Sequence, residues 1–486
     1  MSTFYHPMFL CIAGLVLTWS PCESATVFPA PAGLNPSTRY QVWVDSKKSF
    51  VYDAQIPDPL NCAFTSFDFT DSAQIRIVVP GGFSNFTLRP LQQPFQPHVH
   101  GDTISFKVRK VGTIALTLNG NFNNPLFIFA NPPEVNPPKP GDPGVLYYGP
   151  GVHNIGTVTL EEGQTAYLAG GAVLRGGGFI AGQVPNATIR GRGIMDRTNA
   201  EMEAIWSASD GMKVEGIIIA NQPTMIGHAV FGNIQGLVIE NTKLVSGDHW
   251  SNDGFYLMGC SNVLFKNIFV KNYDDGITIK AHDYFSDPIS NIRLETGFFW
   301  THWAHSIAIG AEVSTEYARD MSFKDVDVVM LANEYDANGY TGAIGIFQSD
   351  SAEISQVTFE DFRVENYSPN HRLVNIQVNK GTWSTDNRIG SVHDITLKNI
   401  QLLRDGGQGF ENLIQGYDAS HPIESIHFIN FNILGNTVQS ASEGNFTITH
   451  ANDVTFSIEN PTIFRRHITS PGIRKIKHRF DLLGRH

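Results

Sequence analysis

Ala187-Thr188-Ile189-Arg190-Gly191, Met212-Lys213-Val214-Glu215-Gly216 and Leu237-Val238-Ile239-Glu240-Asn241 are three copies of one short pattern. Apolar residues recur at alternate positions, as on a strand with one face inward, and a Gly or Asn closes each copy where a tight turn would begin. The pattern returns at Val263-Leu264-Phe265-Lys266-Asn267, Ile292-Arg293-Leu294-Glu295-Thr296 and Met321-Ser322-Phe323-Lys324-Asp325. Three more copies lie at 357–361, 395–399 and 426–430. Successive copies are 25, 25 and 26 residues apart at first and 29 to 38 apart later. A unit of this size repeated nine times marks a stacked repeat, and no copy carries a helical period. The expected fold over residues 145–462 is a right-handed parallel β-helix of roughly ten coils, the later ones enlarged by loops.

The chain upstream reads differently. Tyr40-Gln41-Val42-Trp43-Val44, Gln74-Ile75-Arg76-Ile77-Val78-Val79 and Thr103-Ile104-Ser105-Phe106-Lys107-Val108 are short alternating runs bounded by Gly, Pro, Asn or Asp. Residues 25–131 are therefore expected to form an antiparallel β-sandwich. The Pro-rich run 132–144 is poor in backbone donors and reads as the connection between the two domains. Two domains suit a chain of 486 residues.

Composition sets the outer limits. A hydrophobic fraction of 42% with 16% charged residues belongs to a folded chain, and 45 Gly with 26 Pro favour turns over helices. The net charge of −12 argues against nucleic acid and anionic membranes. Only the tail, 463–486, is basic. Residues 8–19 form an apolar run followed by Ser20-Pro21-Cys22-Glu23-Ser24, which reads as a signal peptide ending at residue 24. The run is too short for the ~20 residues that span a bilayer. A secreted, extracellular monomer is expected, with sequons at Asn85, Asn186, Asn366 and Asn445 as glycosylation sites. Cys62 and Cys260 remain after the signal, and both read as buried thiols.

The chemistry concentrates between Ser251 and Gly310. In the coil register Asp253, the pair Asp274-Asp275 and His305 all lie beyond the same strand in three consecutive coils. Stacked strands are about 4.8 Å apart, so these groups can meet. Crowded carboxylates repel one another and one holds its proton at mild pH. An acid beside a base is what glycosidic hydrolysis requires. Turn chemistry alone would explain any single Asp-Gly, but not the alignment of all four groups.

Asn252-Asp253-Gly254, Asp274-Asp275-Gly276 followed by Ile279-Lys280, and His305 followed by Ile309-Gly310 resemble the motifs of the polygalacturonase superfamily of glycoside hydrolases. The resemblance implies a right-handed parallel β-helix and hydrolysis with inversion. It implies Asp274 as general acid, Asp253 and Asp275 as the pair that activates water, and His305 as the residue beside the acid. Lys280 and Asn252 follow as substrate-binding residues. Ser251-Asn252-Asp253 departs from the usual Asn-Thr-Asp, and Ala304-His305-Ser306 from the usual Gly-His-Gly. The Arg-x-Lys that polygalacturonases carry about one coil later is replaced by Gly342-Ala343-Ile344-Gly345-Ile346-Phe347, which has no cation to hold a sugar carboxylate.

A sandwich ahead of the β-helix resembles instead the related dextranase and isopullulanase family, which acts on neutral α-glucans. Trp250, Phe255, Tyr273, Tyr284, Trp300, Trp303 and Tyr340 are candidate sugar-stacking rings, Trp250 and Trp303 foremost. His282, Asp283 and His302 lack metal-ligand spacing, and neither metal nor cofactor is expected. The reading is a secreted inverting hydrolase of a neutral polysaccharide. Alternatives are a pectin hydrolase of the polygalacturonase type, a lyase, or a non-enzymatic glycan-binding or matrix protein.

Overall fold

The computed structural model describes residues 25–56, 60–223, 227–247, 251–331, 342–365, 372–403 and 411–459. The expected signal peptide, the basic tail, Trp250, Tyr340 and Asn366 lie outside them. Among the described residues every regular element is a strand.

Residues 145–457 wind into a parallel β-helix with three strand faces per coil. The nine sequence copies lie on the first face. A second strand follows most copies after one turn, as Ile194–Asp196 follows Thr188–Gly191, or continues the first, as in Tyr317–Leu331 and Glu353–Val364, and a third completes the coil. The third face is an eleven-stranded sheet, while the first two run together around their shared corner as a sheet of 22 strands. Side chains stack in register up the first face: Ile189, Val214, Ile239, Phe265, Leu294, Phe323, Phe359, Leu397 and Phe428. All nine are buried in one continuous core.

The residue that closes each copy explains itself here. Asn241, Asn267, Asp325, Asp361, Asn399 and Asn430 sit at φ between +49° and +58°, the left-handed conformation in which Asn and Asp are tolerated. Their side chains also pair between coils, Asn267 Nδ2 donating to Asn241 Oδ1 at 2.8 Å and Asn430 Nδ2 to Asn399 Oδ1 at 3.0 Å. The turn residue thus fixes the corner and bonds it to the next coil.

The N-terminal strands form two sheets of six and five strands around their own core of Val42, Phe67, Ile75, Phe106 and Ile128. Pairing is antiparallel except between Asn121–Asn131 and Ala63–Phe69. In Asn121–Asn131, Leu126 and Ile128 face that core, whereas Phe127 and Phe129 point outward against the second face of the helix. There they meet Phe269 at ring distances of 4.8 and 5.1 Å, and Phe127 meets Trp300 at 5.1 Å. Three buried ion pairs and hydrogen bonds seal the same contact. Arg192 Nε lies 2.8 Å from Asp68, Lys243 Nζ donates to Asn131 at 2.5 Å, and Arg89 pairs with Glu365. The sandwich therefore covers the second face. Cys62 lies in this contact and Cys260 in the helix core, both as free thiols.

Candidate active site

Register on the third sheet brings the acidic motifs together. Phe255 pairs with Ile277 and Ile277 with Ile307, so Asp253, Asp275 and His305 each stand two residues ahead of one rung column. The sequence reading placed them beyond the first-face strand. A second-face strand intervenes, and they lie at the entrance to the third. Asp253 opens the strand Asp253–Met258, and the pair Asp274-Asp275 precedes Ile277–Ala281.

The glycine after each acid is a packing requirement. A Cβ on Gly254 would fall 2.2 Å from the Gly276 carbonyl oxygen, and one on Gly276 would fall 2.5 Å from that of Ser306. Coils approach too closely after the acids for any side chain to fit, which is why Asp-Gly recurs.

One oxygen from each of Asp253, Asp274 and Asp275 lies within 4.8 Å of the others. A water donating two hydrogen bonds of about 2.7–2.8 Å spans a little under 5 Å, so two of these carboxylates can grip one water between them. The same oxygens could ligate a divalent cation, since protons and cations alike relieve crowded negative charge. Burial, then the neighbouring Asp274, pushes the Asp253 carboxyl well above the usual carboxylate range. Burial and the charge of Asp275 raise Asp274 to about 6. Burial pushes Asp275 up too, but the charge and hydrogen bond of His305 outweigh it and hold Asp275 below its ordinary value. The His305 ring donates through Nδ1 at 2.6 Å and its backbone N–H at 3.0 Å, both to Asp275 Oδ1. At mildly acidic pH the cluster therefore presents protonated carboxyls beside an ionised one, titrating as a unit.

Several neighbours act through positions that sequence alone did not single out. Asn272 Nδ2 donates to the carbonyls of Asn252, Asp274 and Asp275 at 3.2, 2.8 and 2.6 Å. It ties the segments carrying all three acids to one buried amide. His228 Nδ1 donates to the Asp253 carbonyl at 2.6 Å, and burial lowers this imidazole to about 4. Glu312 Oε2 sits 3.0 Å from Lys280 Nζ, which also lies 4.9 Å above the Tyr256 ring. Burial disfavours the Lys280 charge, but Tyr256, Glu312 and Asp253 hold its pKa well above the usual value. One coil beyond His305, Phe347 packs on the His305 ring at 4.8 Å.

Other expected residues fall elsewhere. Asn252, read as a substrate contact, is 1% exposed, and its amide donates to the Gln222 carbonyl at 3.0 Å. It fastens the Asp253 turn to the preceding coil. Trp300 is fully buried under the sandwich and Phe255 in the helix core, so neither can stack on a sugar. Tyr284 lies in the turn that leaves the third sheet, at the opposite edge from the acids. Trp303 stays half-buried near the cluster, 6.1 Å from the Tyr273 ring and nearly parallel to it. Lys280 stays beside the carboxylates.

Comparison with known proteins agrees with this architecture. The fold is similar to that of Dex49A from Penicillium minioluteum, with a TM-score of 0.58 at 14% identity over 88% of this chain and 96% of that one. It is also similar to the Yersinia enterocolitica family 28 exopolygalacturonase, with a TM-score of 0.50 at 13% identity over 90% of this chain and 95% of that one. Both likenesses extend across the sandwich as well as the helix. Among curated protein sequences none matches. Residues 158–452, more than half the chain and all of the acidic cluster, match glycosyl hydrolases family 28, and the chain belongs to that family of glycoside hydrolases.

Proposed function

We propose that this glycoside hydrolase is secreted and cleaves a neutral polysaccharide, an α-glucan, with inversion. The observation that supports the substrate class is that, among the described residues, no spare cation stands one coil beyond His305, where a sugar carboxylate would need one. Gly345 and Phe347 occupy the outward positions one coil beyond His305, and a Cβ on Gly345 would already fall 2.6 Å from that ring. Lys280, the described cation beside the acids, is matched by Glu312. A polyuronide would meet carboxylates with nothing to balance its own charge.

In this reading Asp274, protonated below about pH 6, donates to the glycosidic oxygen as the bond breaks. Asp275, kept ionised by His305, accepts the proton of the attacking water, with Asp253 as the second acceptor that orients it. His305 positions Asp275, and Trp303 with Tyr273 offers a flat surface to a pyranose ring. Inversion is what the family resemblance implies. The oxygens are closer than the ~6.5–9.5 Å usual between inverting carboxyl groups, so the stereochemistry needs its own test. Secretion is supported by the apolar run 8–19 and by the exposure of Asn85, Asn186 and Asn445.

Reducing-end release from dextran, pullulan, polygalacturonate and sulfated polysaccharides tests the substrate class. Faster release from polygalacturonate than from either glucan would overturn it. Proton NMR of the fresh product reports the anomer, and retention would remove the inverting assignment while leaving the hydrolase.

A further inference from the structure

Among the described residues only three Phe, Tyr or Trp side chains are exposed: Tyr284 at 93%, Trp383 at 51% and Tyr417 at 43%. All three lie in turns that leave a third-sheet strand. Tyr284 follows Ile277–Ala281, Trp383 follows Val374–Val378 and Tyr417 follows Asn412–Gln415. They therefore line one edge of the sheet whose other edge carries the acids. Tyr284 shares a coil with Asp275, while Trp383 and Tyr417 stand three and four coils further on. At about 4.8 Å per coil the row is ~19 Å long.

Each ring is held out on an anchored turn. Asn233 bonds the turn twice, its Nδ2 donating to the Tyr284 carbonyl and its Oδ1 accepting from Asp287 N, each at 3.3 Å. The buried Asp350 accepts from Thr385 N at 2.7 Å and Asp386 N at 2.9 Å, pinning the Trp383 turn. Asp418 accepts from Ser420 N at 2.8 Å and His421 N at 2.9 Å beside Tyr417. Between the last two turns lies an open pocket of about 400 Å³ lined by Ser391, Ser420 and His421 with Glu353 and Glu424.

We propose that this edge is a second carbohydrate-binding site, separate from the acidic cluster, for an extended neutral glucan chain. Its ligand class rests on the hydrolytic reading above. Isolated rings separated by hydroxyls and carboxylates suit the apolar faces and hydroxyl rims of sugars, whereas a protein partner would want a contiguous apolar patch. Turns already anchored lose little backbone entropy on binding. The carboxylates of the pocket exclude a polyanion.

Affinity electrophoresis in native gels containing dextran, pullulan or polygalacturonate tests the site, run on Asp274→Asn protein to prevent hydrolysis. The parent is expected to be retarded by a glucan gel. Adding Tyr284→Ala, Trp383→Ala and Tyr417→Ala is expected to weaken that retardation about tenfold or more at an unchanged melting temperature. Retardation equal to the parent's, no retardation of the parent in either glucan, or stronger retardation by polygalacturonate overturns the proposal. Reducing-end release by the wild-type chain, measured separately, reports on hydrolysis. Release without retardation removes the second site and leaves the hydrolase.

Discussion

Two groups of carboxylates withdrawn from solvent are treated in opposite ways. Beneath the sandwich, Asp68, Asp327 and Glu365 each face a guanidinium, from Arg192, Arg363 and Arg89. At the third-sheet entrance, Asp253, Asp274 and Asp275 face one another, with a single imidazole on Asp275. A raised pKa does not separate the two regions. Burial lifts Glu365 to about 7 even though Arg89 pulls it down, above the value of Asp274. The partner separates them: a guanidinium makes a carboxylate part of a joint, whereas a second carboxylate leaves a proton to be exchanged.

The sharpest way to break this contrast is to remove one charge from each region. Asp274→Asn is expected to lower kcat on a glucan by on the order of 10²–10⁴-fold, with the fold intact by circular dichroism. Arg89→Ala, at the joint, is expected to destabilise the protein by roughly 3–5 kcal/mol, because it leaves Glu365 buried without its partner. Denaturant melts would register that loss, while kcat of the remaining folded protein stays near the wild-type value. A severe kcat loss in Arg89→Ala at full stability would erase the distinction between the regions.

A smaller effect runs the other way. Because the Asp274 pKa is raised from 3.8 to about 6, the wild type is favoured in its protonated form, and that advantage is lost as pH rises through 6. Asp274→Asn is therefore expected to be more stable than wild type by roughly 1–3 kcal/mol at pH 7.5 and equal to it near pH 4. Thermal melts at the two pH values check the sign, and a variant less stable at pH 7.5 would show that the acids do not repel. The smallest change belongs to Glu312→Gln, which removes the carboxylate paired with Lys280. Activity on polygalacturonate relative to dextran is expected to rise by roughly two- to fivefold. Parallel reducing-sugar assays on both polymers would detect it.

The sequence carried the helix because its corners demand residues that tolerate a left-handed backbone, so Gly191, Asn241 and Asn399 print the coil length directly. The acids were legible for a related reason, since close coil contact forces Gly254 and Gly276 to follow them. What stayed hidden depends on which way a side chain turns. Glu312 reaches Lys280 only because strand pairing slips between Ile279 and Ala281, and no periodicity reveals such a slip. Asn252 sits beside Asp253 in sequence yet points into the preceding coil. Trp300 looked available until the sandwich covered its face, and which face a separate domain covers is not written in either domain's pattern. Tyr284 stands out in the sequence as an aromatic near the acids, but only the topology shows that it shares an edge with Trp383 and Tyr417.

The central claim, that a carboxyl kept protonated by burial and by a neighbouring carboxylate drives glycosidic cleavage, is tested most directly by kcat/KM against pH on a neutral glucan for wild type and Asp274→Asn. The account predicts a wild-type profile that falls above about pH 6 and a variant that is at least about 100-fold slower and lacks that fall. An Asp274→Asn protein with wild-type rates and the same alkaline limb would contradict it.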